Sequence, residues 1–346
     1  MKRRIKTILQ YMFFFGLGFF FVWLSVKDID AEKWQQIRFA LANANYLLVI
    51  PVFFILIGSH YVRSLRWRLL MEPMGYLPSR TNVFFAVMVG YLANQGVPRL
   101  GEVLRCTLLA RYEKIPADKL IGTIILERMI DAVCLLMVFG ITLAIQPGLY
   151  GQIINQVFHS KNEAGADDGA GWLIPLLFIA LVFIIVITWM VVKKKSWSDL
   201  LRGVRQIIIR VMQGLGTIRH LRKRGQFILL TLLLWTLYLA GGWIGLQALQ
   251  ETQQYGVQQA FTILSAGSIG MIVSPGGIGG CPLLIEGTMM LYGLSQPIAA
   301  AFGWLLWIAQ TFVVLVGGLI SFSLLPWYNR RKNKENNNSP LPPEIV

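Results

Sequence analysis

Apolar residues occur along the chain in long blocks, and six of these blocks are long enough to cross a membrane. The hydrocarbon core of a bilayer is about 30 Å thick, and about twenty helical residues span it. The pattern therefore predicts an all-α polytopic membrane protein. The six predicted transmembrane segments are residues 7–26, 46–67, 121–145, 172–192, 226–249 and 298–325.

Two further apolar regions, 82–112 and 258–294, are each interrupted in the middle. The first contains the sequence NQGVPRLGE and the second contains SPGGIGGCP. Proline lacks the amide hydrogen that a helix interior needs, and glycine relaxes helix geometry, so a helix is expected to break at both places. Each region is therefore predicted to form a re-entrant hairpin of two half-helices.

The basic residues indicate the orientation. Segment 193–225 contains ten Lys or Arg residues, and such segments stay on the cytoplasmic side. The basic start of the chain should lie on the same side, which requires an even number of crossings between the two. Four transmembrane segments already separate them, so hairpin 82–112 must enter and leave from the cytoplasm. By the same counting, hairpin 258–294 enters from the outer face, and both chain termini are cytoplasmic.

These patterns also outline the domain organisation. Residues 1–328 are predicted to form a single integral membrane domain, in which 193–225 is a basic amphipathic segment on the cytoplasmic surface. The polar stretch 329–346 is rich in Asn and Pro and is expected to be a disordered cytoplasmic tail. A shorter amphipathic helix around Trp34 is expected on the outer surface.

The composition supports a membrane protein and restricts its partners. Of the 346 residues, 55% are hydrophobic and 14% are charged, whereas a soluble domain carries about a quarter charged residues. The net charge is +15, but Lys and Arg cluster between the apolar blocks, where anionic lipid headgroups account for them. Membrane lipids are therefore the expected partners and nucleic acid is not, while a homo-oligomer is left open.

Motifs for other chemistries do not occur in the sequence. There is no G-x-x-x-x-G-K-[ST] loop, no H-E-x-x-H and no G-x-S-x-G, so an ATP-driven motor of the phosphate-loop type is excluded. The sequence predicts no cofactor, no metal and no catalytic residue, and it favours a transporter over an enzyme. The cysteines have no paired spacing, so they predict neither disulfides nor a metal site; they are Cys106, Cys134 and Cys281.

The first candidate site is the break NQGVPRLGEVLR at residues 94–105. A helix that restarts after Pro98 would present free N–H groups and the positive end of its dipole at membrane depth. Arg99 and Arg105 would add fixed positive charge, which suits a phosphate or carboxylate headgroup. The alternative is a cytoplasmic loop whose arginines contact lipid phosphates.

The second candidate is the sequence LERMID inside the segment 121–145. Glu127 and Asp131 share a helix face, and Arg128 is spaced to pair with Asp131. Charges within a membrane segment cost a few kcal/mol each and mark either function or a compensating pair. The remaining carboxylate could titrate or bind an arginine of the first hairpin. The alternative is a structural salt-bridge cluster that ties the hairpin to this segment.

The third candidate is SPGGIGG at residues 274–280, where a restarting helix would offer a second anion site; the alternative is a plain hairpin turn. Glu286 follows in the return arm, and its role is left open. His60 and Arg63 are expected to mark the membrane interface.

With these motifs the chain resembles the transmembrane region of lysylphosphatidylglycerol synthases, a family of flippase-like membrane domains. Three short motifs in the same order, together with the number of transmembrane segments, carry the resemblance over nearly the whole chain. The residues on which it rests, which are also the candidate substrate-binding residues, are Asn94, Pro98, Arg99, Gly101, Glu102, Arg105, Glu127, Arg128, Asp131, Pro275, Gly276, Gly277 and Gly279.

The resemblance implies a multi-pass protein of the bacterial inner membrane that is linked to moving lipids between leaflets. In the bifunctional members the moved lipid is aminoacylated phosphatidylglycerol, and a large soluble aminoacyl-transferase domain follows. Here a short polar tail follows the last predicted transmembrane segment, so lysine transfer from tRNA is not expected. Many members also place an acidic residue close to the Pro-Gly-Gly turn. In this chain the next acidic residue is Glu286, so that role is not carried over.

The sequence leads to the hypothesis of a flippase-like transporter that moves a phosphate-bearing phospholipid or lipid-linked precursor between leaflets. Headgroups would pass through a hydrophilic cavity between the two hairpins while the acyl chains stay in the bilayer. Two alternatives are open. One is an integral membrane enzyme acting on a lipid-linked substrate, with Glu127 or Asp131 as base. The other is a non-catalytic membrane partner of a lipid-modifying enzyme, which acts through segment 193–225.

Overall fold

The computed structural model describes residues 15–97, 99–146, 148 and 221–338. Within these ranges the chain is helical and contains no strand, which confirms the predicted all-α class. The α-helices of the described residues are α1 (described over Phe15–Val26), α2 (Ala31–Ala42), α3 (Val49–Met71), α4 (Arg80–Gly96), α5 (Leu100–Glu113), α6 (Ala117–Ile145), α7 (Arg224–Leu246), α8 (Val257–Val273), α9 (Gly280–Leu291) and α10 (Gln296–Asn338).

The chain divides into two compact units, one formed by Met1–Phe139 with His220–Val346 and the other by Gly140–Arg219. The first unit contains nearly all of the described residues. Of the second unit, the end of α6 and two positions directly after it are described. The predicted transmembrane segment 172–192 and nearly all of the basic segment 193–225 lie outside the described residues.

Long apolar helices confirm four of the predicted transmembrane segments. Four helices of the described residues are long and apolar enough to cross a membrane, namely Tyr46–Met74, Ala117–Ile145, Arg224–Leu246 and Gln296–Lys332. They match the predicted segments 46–67, 121–145, 226–249 and 298–325. The described part of the predicted first segment is the apolar helix α1.

The predicted break in the first hairpin is confirmed between α4 and α5. Val97 is extended, with φ −135° and ψ 113°, and Arg99 adopts left-handed backbone angles, with φ 66°. The two arms cross at Gly90 and Gly101. A Cβ atom added to Gly101 would lie 1.8 Å from the carbonyl oxygen of Gly90, so glycine is required at this crossing.

The second hairpin, formed by α8 and α9, breaks in the same manner. The α8 helix ends before the extended residue Ser274, and a single 3₁₀ turn, Pro275–Gly277, follows. Positive φ angles of 59° at Gly276 and 69° at Gly279 turn the chain back. Close packing of the arms depends on Gly270, where an added Cβ would lie 2.5 Å from the Cα atom of Cys281.

The long helix α10 packs along both hairpins in sequence. Near its start, Gly303 packs against the carbonyl of Pro282 in α9. Further along, Gly318 packs against Leu92 in α4, and Asn329 pairs with Asn82 through amide hydrogen bonds of 2.8 and 2.9 Å. The interval from Gly303 to Asn329 is about 39 Å long at the rise of an α-helix, which is comparable to the thickness of a bilayer.

The tips of the two hairpins meet. A Cβ atom added to Gly276 would lie 3.3 Å from the Cα atom of Gln95, at the end of α4, and Trp307 of α10 donates a 2.9 Å hydrogen bond to the Gly276 carbonyl. Because α9 and α4 follow one another along α10, and the turn before α9 contacts the end of α4, the hairpins approach from opposite ends of α10. The predicted pair of opposed, broken hairpins is therefore present.

The structure agrees with the sequence prediction at the peripheral segment around Trp34 and differs from it at residues 329–338. The predicted amphipathic segment around Trp34 is the helix α2, whose N-terminus is capped by Asp30, which accepts a 2.9 Å hydrogen bond from the Lys33 amide. At the other end, α10 continues to Asn338, so residues 329–338 are helical where the composition predicted the start of a disordered tail. The Asn329–Asn82 amide pair fixes the beginning of this extension to α4.

Candidate functional site

Five ionised side chains from three helices meet in the interior beside the first hairpin. We call Arg63, Arg66, Arg105, Glu127 and Asp131 the buried ion cluster. One guanidinium nitrogen of Arg63 lies 2.7 Å from Glu127 and 2.7 Å from Asp131. Arg66 lies 2.6 Å from Asp131, and Arg105 lies 3.1 Å from Glu127.

Helical spacing explains why these side chains converge. Arg63 and Arg66 are three residues apart on α3, and Glu127 and Asp131 are four residues apart on α6, so each pair projects from one helix face. Arg105 reaches the same carboxylates from α5. The side chains of Arg66 and Glu127 are both fully buried, with 0% of their surface exposed, so the cluster is shielded from water.

The buried ion cluster contains more positive than negative charge. Three guanidinium groups face two carboxylates, which leaves one positive charge in excess. The side chain of Arg63 is fully engaged, since it also donates to the Tyr238 hydroxyl at 3.0 and 3.3 Å. In contrast, Nε and Nη1 of Arg66 and Nε of Arg105 have no hydrogen-bond partner among the described residues. A buried, unpaired guanidinium donor is costly, and an anion would satisfy it.

Aromatic rings frame the cluster. The Arg105 guanidinium lies 4.7 Å from the ring centre of Trp67, and the Trp67 indole is itself fixed by a 2.9 Å hydrogen bond to Thr123. His60 lies 4.8 Å from Tyr91, and neither of its ring nitrogens has a hydrogen-bond partner among the described residues. Further unsatisfied polar atoms thus lie next to the excess charge.

A narrow cleft leads to Arg105 between α4, α5 and α6. Its volume is about 10 Å³, which is room for a single water molecule. A lipid headgroup is far larger, so this conformation is closed to such a ligand. The residues that line the cleft are Val87, Gly90, Tyr91, Asn94, Gly101, Glu102, Arg105 and Arg128.

The structure brings together some residues of the first motif and separates others. Asn94 accepts a 2.8 Å hydrogen bond from the Gly101 amide, so this N–H, which the sequence predicted to be free for a ligand, is capped by the protein. Arg99 is exposed and has no ion pair among the described residues, so it lies outside the buried ion cluster. Pro98 lies outside the described residues.

The second motif forms different pairs from those that its local spacing predicted. Arg128 is 42% exposed and lies 3.6 Å from Glu102, whereas Asp131 is bound by two arginines of α3. The expectation that Arg128 pairs with Asp131 is therefore replaced by a longer-range arrangement. The predicted contact between a carboxylate of this motif and an arginine of the hairpin is present as Glu127–Arg105.

The third motif, SPGGIGG, forms a closely packed turn. Pro275 and Gly277 are buried, Gly276 contacts Gln95, and Gly279 packs so closely against α1 that an added Cβ would lie 2.7 Å from the Gly18 carbonyl oxygen. Among the described residues, no charged side chain forms an ion pair or a hydrogen bond with this turn. The geometry therefore accounts for these glycines by close packing.

Glu286 lies in the arm that follows this turn and is 4% exposed. Its carboxylate accepts a 2.6 Å hydrogen bond from the Ser25 hydroxyl of α1, and the Gln296 side chain also hydrogen-bonds to it. Within the described residues it has no ion pair. Unlike Glu127, this carboxylate is held by neutral groups.

The sequence did not place Arg63 and Arg66 of α3 in the buried ion cluster, and it did not predict that His60 is buried. His60 and Arg63 were expected at the membrane interface, but the structure buries both, with 5% and 6% exposure. Arg66 was not selected at all. A signal was present, because SHYVRSLRWR places arginines at helical spacing within an apolar segment, where unpaired charge is costly. Tyr238 carried no signal, since an isolated tyrosine in an apolar segment is ordinary.

Comparison with known proteins assigns the chain to a family. Residues 8–318 match the family described as the lysylphosphatidylglycerol synthase TM region. A UPF0104 membrane protein of Methanocaldococcus jannaschii is 28% identical over 118 residues, which is 33% of this chain and 34% of that protein, so the chain spans about a third of the length of this relative. No solved structure matches the chain. The protein is a multi-pass membrane protein and belongs to the lysylphosphatidylglycerol synthase transmembrane-region family.

Proposed function

We propose that the protein is a flippase-like transporter that moves a phosphate-bearing phospholipid or lipid-linked precursor between the leaflets of the bacterial inner membrane. The observation that supports this most strongly is the buried ion cluster, with one guanidinium in excess and unpaired N–H donors on Arg66 and Arg105. A phosphate group would supply the missing negative charge and accept these hydrogen bonds.

The carboxylates have a role when no lipid is bound. Arg63 and Arg66 are each held by Asp131, and Arg105 by Glu127. A phosphate that enters the cluster competes for the same guanidinium groups, so binding and release exchange one set of charge-assisted hydrogen bonds for another. Such an exchange keeps the bound state from becoming too stable to release the lipid.

Access to the cluster requires movement of the first hairpin. The cleft beside Arg105 holds only about one water molecule, so α5 must move away from α6 before a headgroup fits. The contacts that cross this cleft include the Arg128–Glu102 pair, which is partly exposed and therefore weak. Acyl chains would remain in the bilayer while the headgroup passes. Since the sequence contains no phosphate-binding loop, the driving force would be an ion gradient or the lipid gradient itself.

The test is a leaflet-resolved lipid-movement assay on purified protein in liposomes. Fluorescent phosphatidylglycerol, phosphatidylcholine and a lipid-linked sugar would be compared for wild type and Arg105→Gln. This substitution leaves two guanidiniums and two carboxylates, so the cluster stays balanced and the protein should fold. The matched control is Arg80→Gln, because Arg80 is exposed at the start of α4 and lies outside the cluster.

We expect wild type and Arg80→Gln to move at least one of the lipids at equal rates, and Arg105→Gln to move it about tenfold more slowly or worse, as expected for the loss of a charge-assisted contact. Movement by Arg105→Gln at the wild-type rate would contradict a path through the cluster. If folded wild-type protein moved none of the lipids but chemically altered the lipid-linked sugar, the enzyme alternative would replace the transporter.

A further inference from the structure

A second and larger cavity lies away from the buried ion cluster, between the end of α5 and the last third of α10. Its volume is about 210 Å³, compared with about 10 Å³ for the cleft beside Arg105. It is lined by Arg111, Tyr112, Pro326, Asn329 and Arg330. The proposed transport path does not use these residues.

The charge of this cavity is uncompensated. Arg111 and Arg330 come from different helices, are both exposed, and have no ion pair among the described residues. Glu113, two residues after Arg111, is already engaged, since Lys332 lies 3.8 Å from it and the Asn82 amide donates to it. The Arg111 guanidinium lies 5.8 Å from the ring centre of Tyr112, a contact that leaves its charge uncompensated, so the cavity offers two guanidinium groups to an anion.

The Asn329 amide in the wall already has its hydrogen-bond partners. The Asn329 amide exchanges hydrogen bonds with Asn82 and donates to the Leu325 carbonyl at 2.8 Å. These bonds hold α10 against α4 and fix the position of the following residue, Arg330. The wall is therefore preorganised, while recognition falls to the two arginines.

An exposed apolar stripe leads along α10 into the cavity. Residues spaced three or four apart share a helix face, and this spacing connects Phe312, Leu315, Leu319 and Phe322 to the cavity residues Pro326 and Arg330. The four apolar side chains are 57%, 40%, 57% and 60% exposed. A ligand with a charged head and a long apolar tail matches this arrangement, because its tail would cover the stripe while its head reached the arginines.

We infer that this cavity binds the phosphate of an anionic phospholipid, whose acyl chain lies along the apolar stripe of α10. Trp327 supports a position near a membrane surface, since it is 58% exposed and lies 6.0 Å from the Arg331 guanidinium, and tryptophan and basic residues are enriched at that depth. The basic residues predict that this end of α10 is cytoplasmic. The site is separate from the cluster, so it does not depend on the proposed transport.

The experiment is native mass spectrometry of the purified protein in a neutral detergent, titrated with phosphatidylglycerol or phosphatidylcholine. The test variant is the double substitution Arg111→Gln with Arg330→Gln. The matched control is Arg38→Gln with Arg80→Gln, which removes two exposed arginines that do not line the cavity. All variants must show the wild-type melting temperature and a single species on size exclusion.

We expect the test variant to bind phosphatidylglycerol about tenfold more weakly than wild type, the loss expected for charge-assisted contacts, and the control to bind as wild type does. Equal binding by the test variant and wild type would overturn the site. A further arm adds inorganic phosphate at the lipid concentration, and displacement of the lipid there would assign the cavity to free phosphate instead. The readout is lipid binding at a site outside the buried ion cluster and not lipid movement, so failure of the transport proposal would leave this result unaffected.

Discussion

The two broken hairpins share one backbone design and differ in their charges. Each has a break with left-handed residues, arms that cross on glycine, and a tip that touches the other hairpin. The first hairpin, α4–α5, contributes Arg105 to the buried ion cluster. The second, α8–α9, is held to α1 by the hydrogen bond between Ser25 and Glu286 and by the close approach of Gly279 to Gly18.

This difference separates the requirements of folding from those of chemistry. A turn rich in proline and glycine is sufficient to break a helix and return it, as the second hairpin demonstrates. The excess guanidinium of the first hairpin is not needed for that purpose, since uncompensated buried charge destabilises a fold. Opposed broken helices are a feature of many transporters, but here the symmetry is confined to the backbone. The proposed anion site therefore belongs to one hairpin.

The largest effect is expected from substitutions that test the shared backbone design. Gly101→Ala places a methyl group 1.8 Å from a backbone oxygen, and Gly270→Ala places one 2.5 Å from a backbone Cα atom. Because backbone atoms cannot move aside as side chains do, each change should exceed the 1–3 kcal/mol that is usual for overpacking, at roughly 3 kcal/mol or more. The measurement is the yield of monodisperse protein in detergent and its melting temperature.

Gly122→Ala is the matched control for both, because nothing lies within 4 Å of the position that its Cβ would take. This change in the second turn of α6 should stabilise the protein slightly, by about 0.5–1 kcal/mol. If Gly101→Ala unfolded the protein while Gly270→Ala left it unchanged, the two hairpins would not share one packing principle.

The next effect compares the two buried glutamates. Glu127→Gln leaves three buried guanidiniums facing one carboxylate, and breaking a buried ion network typically costs about 3–5 kcal/mol. Glu286→Gln retains an acceptor for the Ser25 hydroxyl and removes no ion pair, so a cost of about 1 kcal/mol is expected. Thermal unfolding in one detergent, followed by tryptophan fluorescence, measures both. Equal losses for the two variants would show that the cluster charges do not stabilise the closed structure.

Local features of the sequence were sufficient to predict the hairpins and part of the cluster. Proline and glycine are clustered at both interruptions, and together they disfavour a continuous helix, so both breaks could be placed to within a few residues. The Glu127–Arg105 contact could be anticipated because a charge within an apolar segment requires a partner, and the hairpin offered arginines.

The remainder of the cluster depended on contacts between helices that are distant in sequence. An arginine near the end of an apolar segment can extend to the interface or be buried in an ion pair, and the sequence does not show which neighbour faces it. For this reason Arg63 was placed at the interface and Arg66 was missed. The same limit explains Arg128, since its local partner Asp131 is taken by the two arginines of α3. Arg99 is exposed and lies outside the cluster, so its predicted contact with a headgroup stays a prediction.

The smallest effect is expected from the partly exposed ion pair that joins Glu102 of the first hairpin to Arg128 of α6. The side chains of Arg128 and Glu102 are 42% and 33% exposed, and their charged atoms are 3.6 Å apart. Exposed ion pairs contribute about 0–1 kcal/mol, so Arg128→Gln should lower the melting temperature little. Arg66→Gln, which removes a fully buried partner of Asp131, should cost severalfold more.

A double-substitution cycle with Glu102→Gln isolates the Arg128–Glu102 interaction from other effects of each change. A coupling energy near zero is expected in salt, because solvent screens a pair of this exposure. The same cycle in the transport assay tests whether this ion pair closes the cleft. If the pair closes the cleft to lipid, its removal should speed lipid movement while stability stays constant. A coupling energy of several kcal/mol with unchanged transport would instead show that Arg128 stabilises the fold as the cluster residues do. Arg128 and Glu102 would then belong with the buried ion cluster.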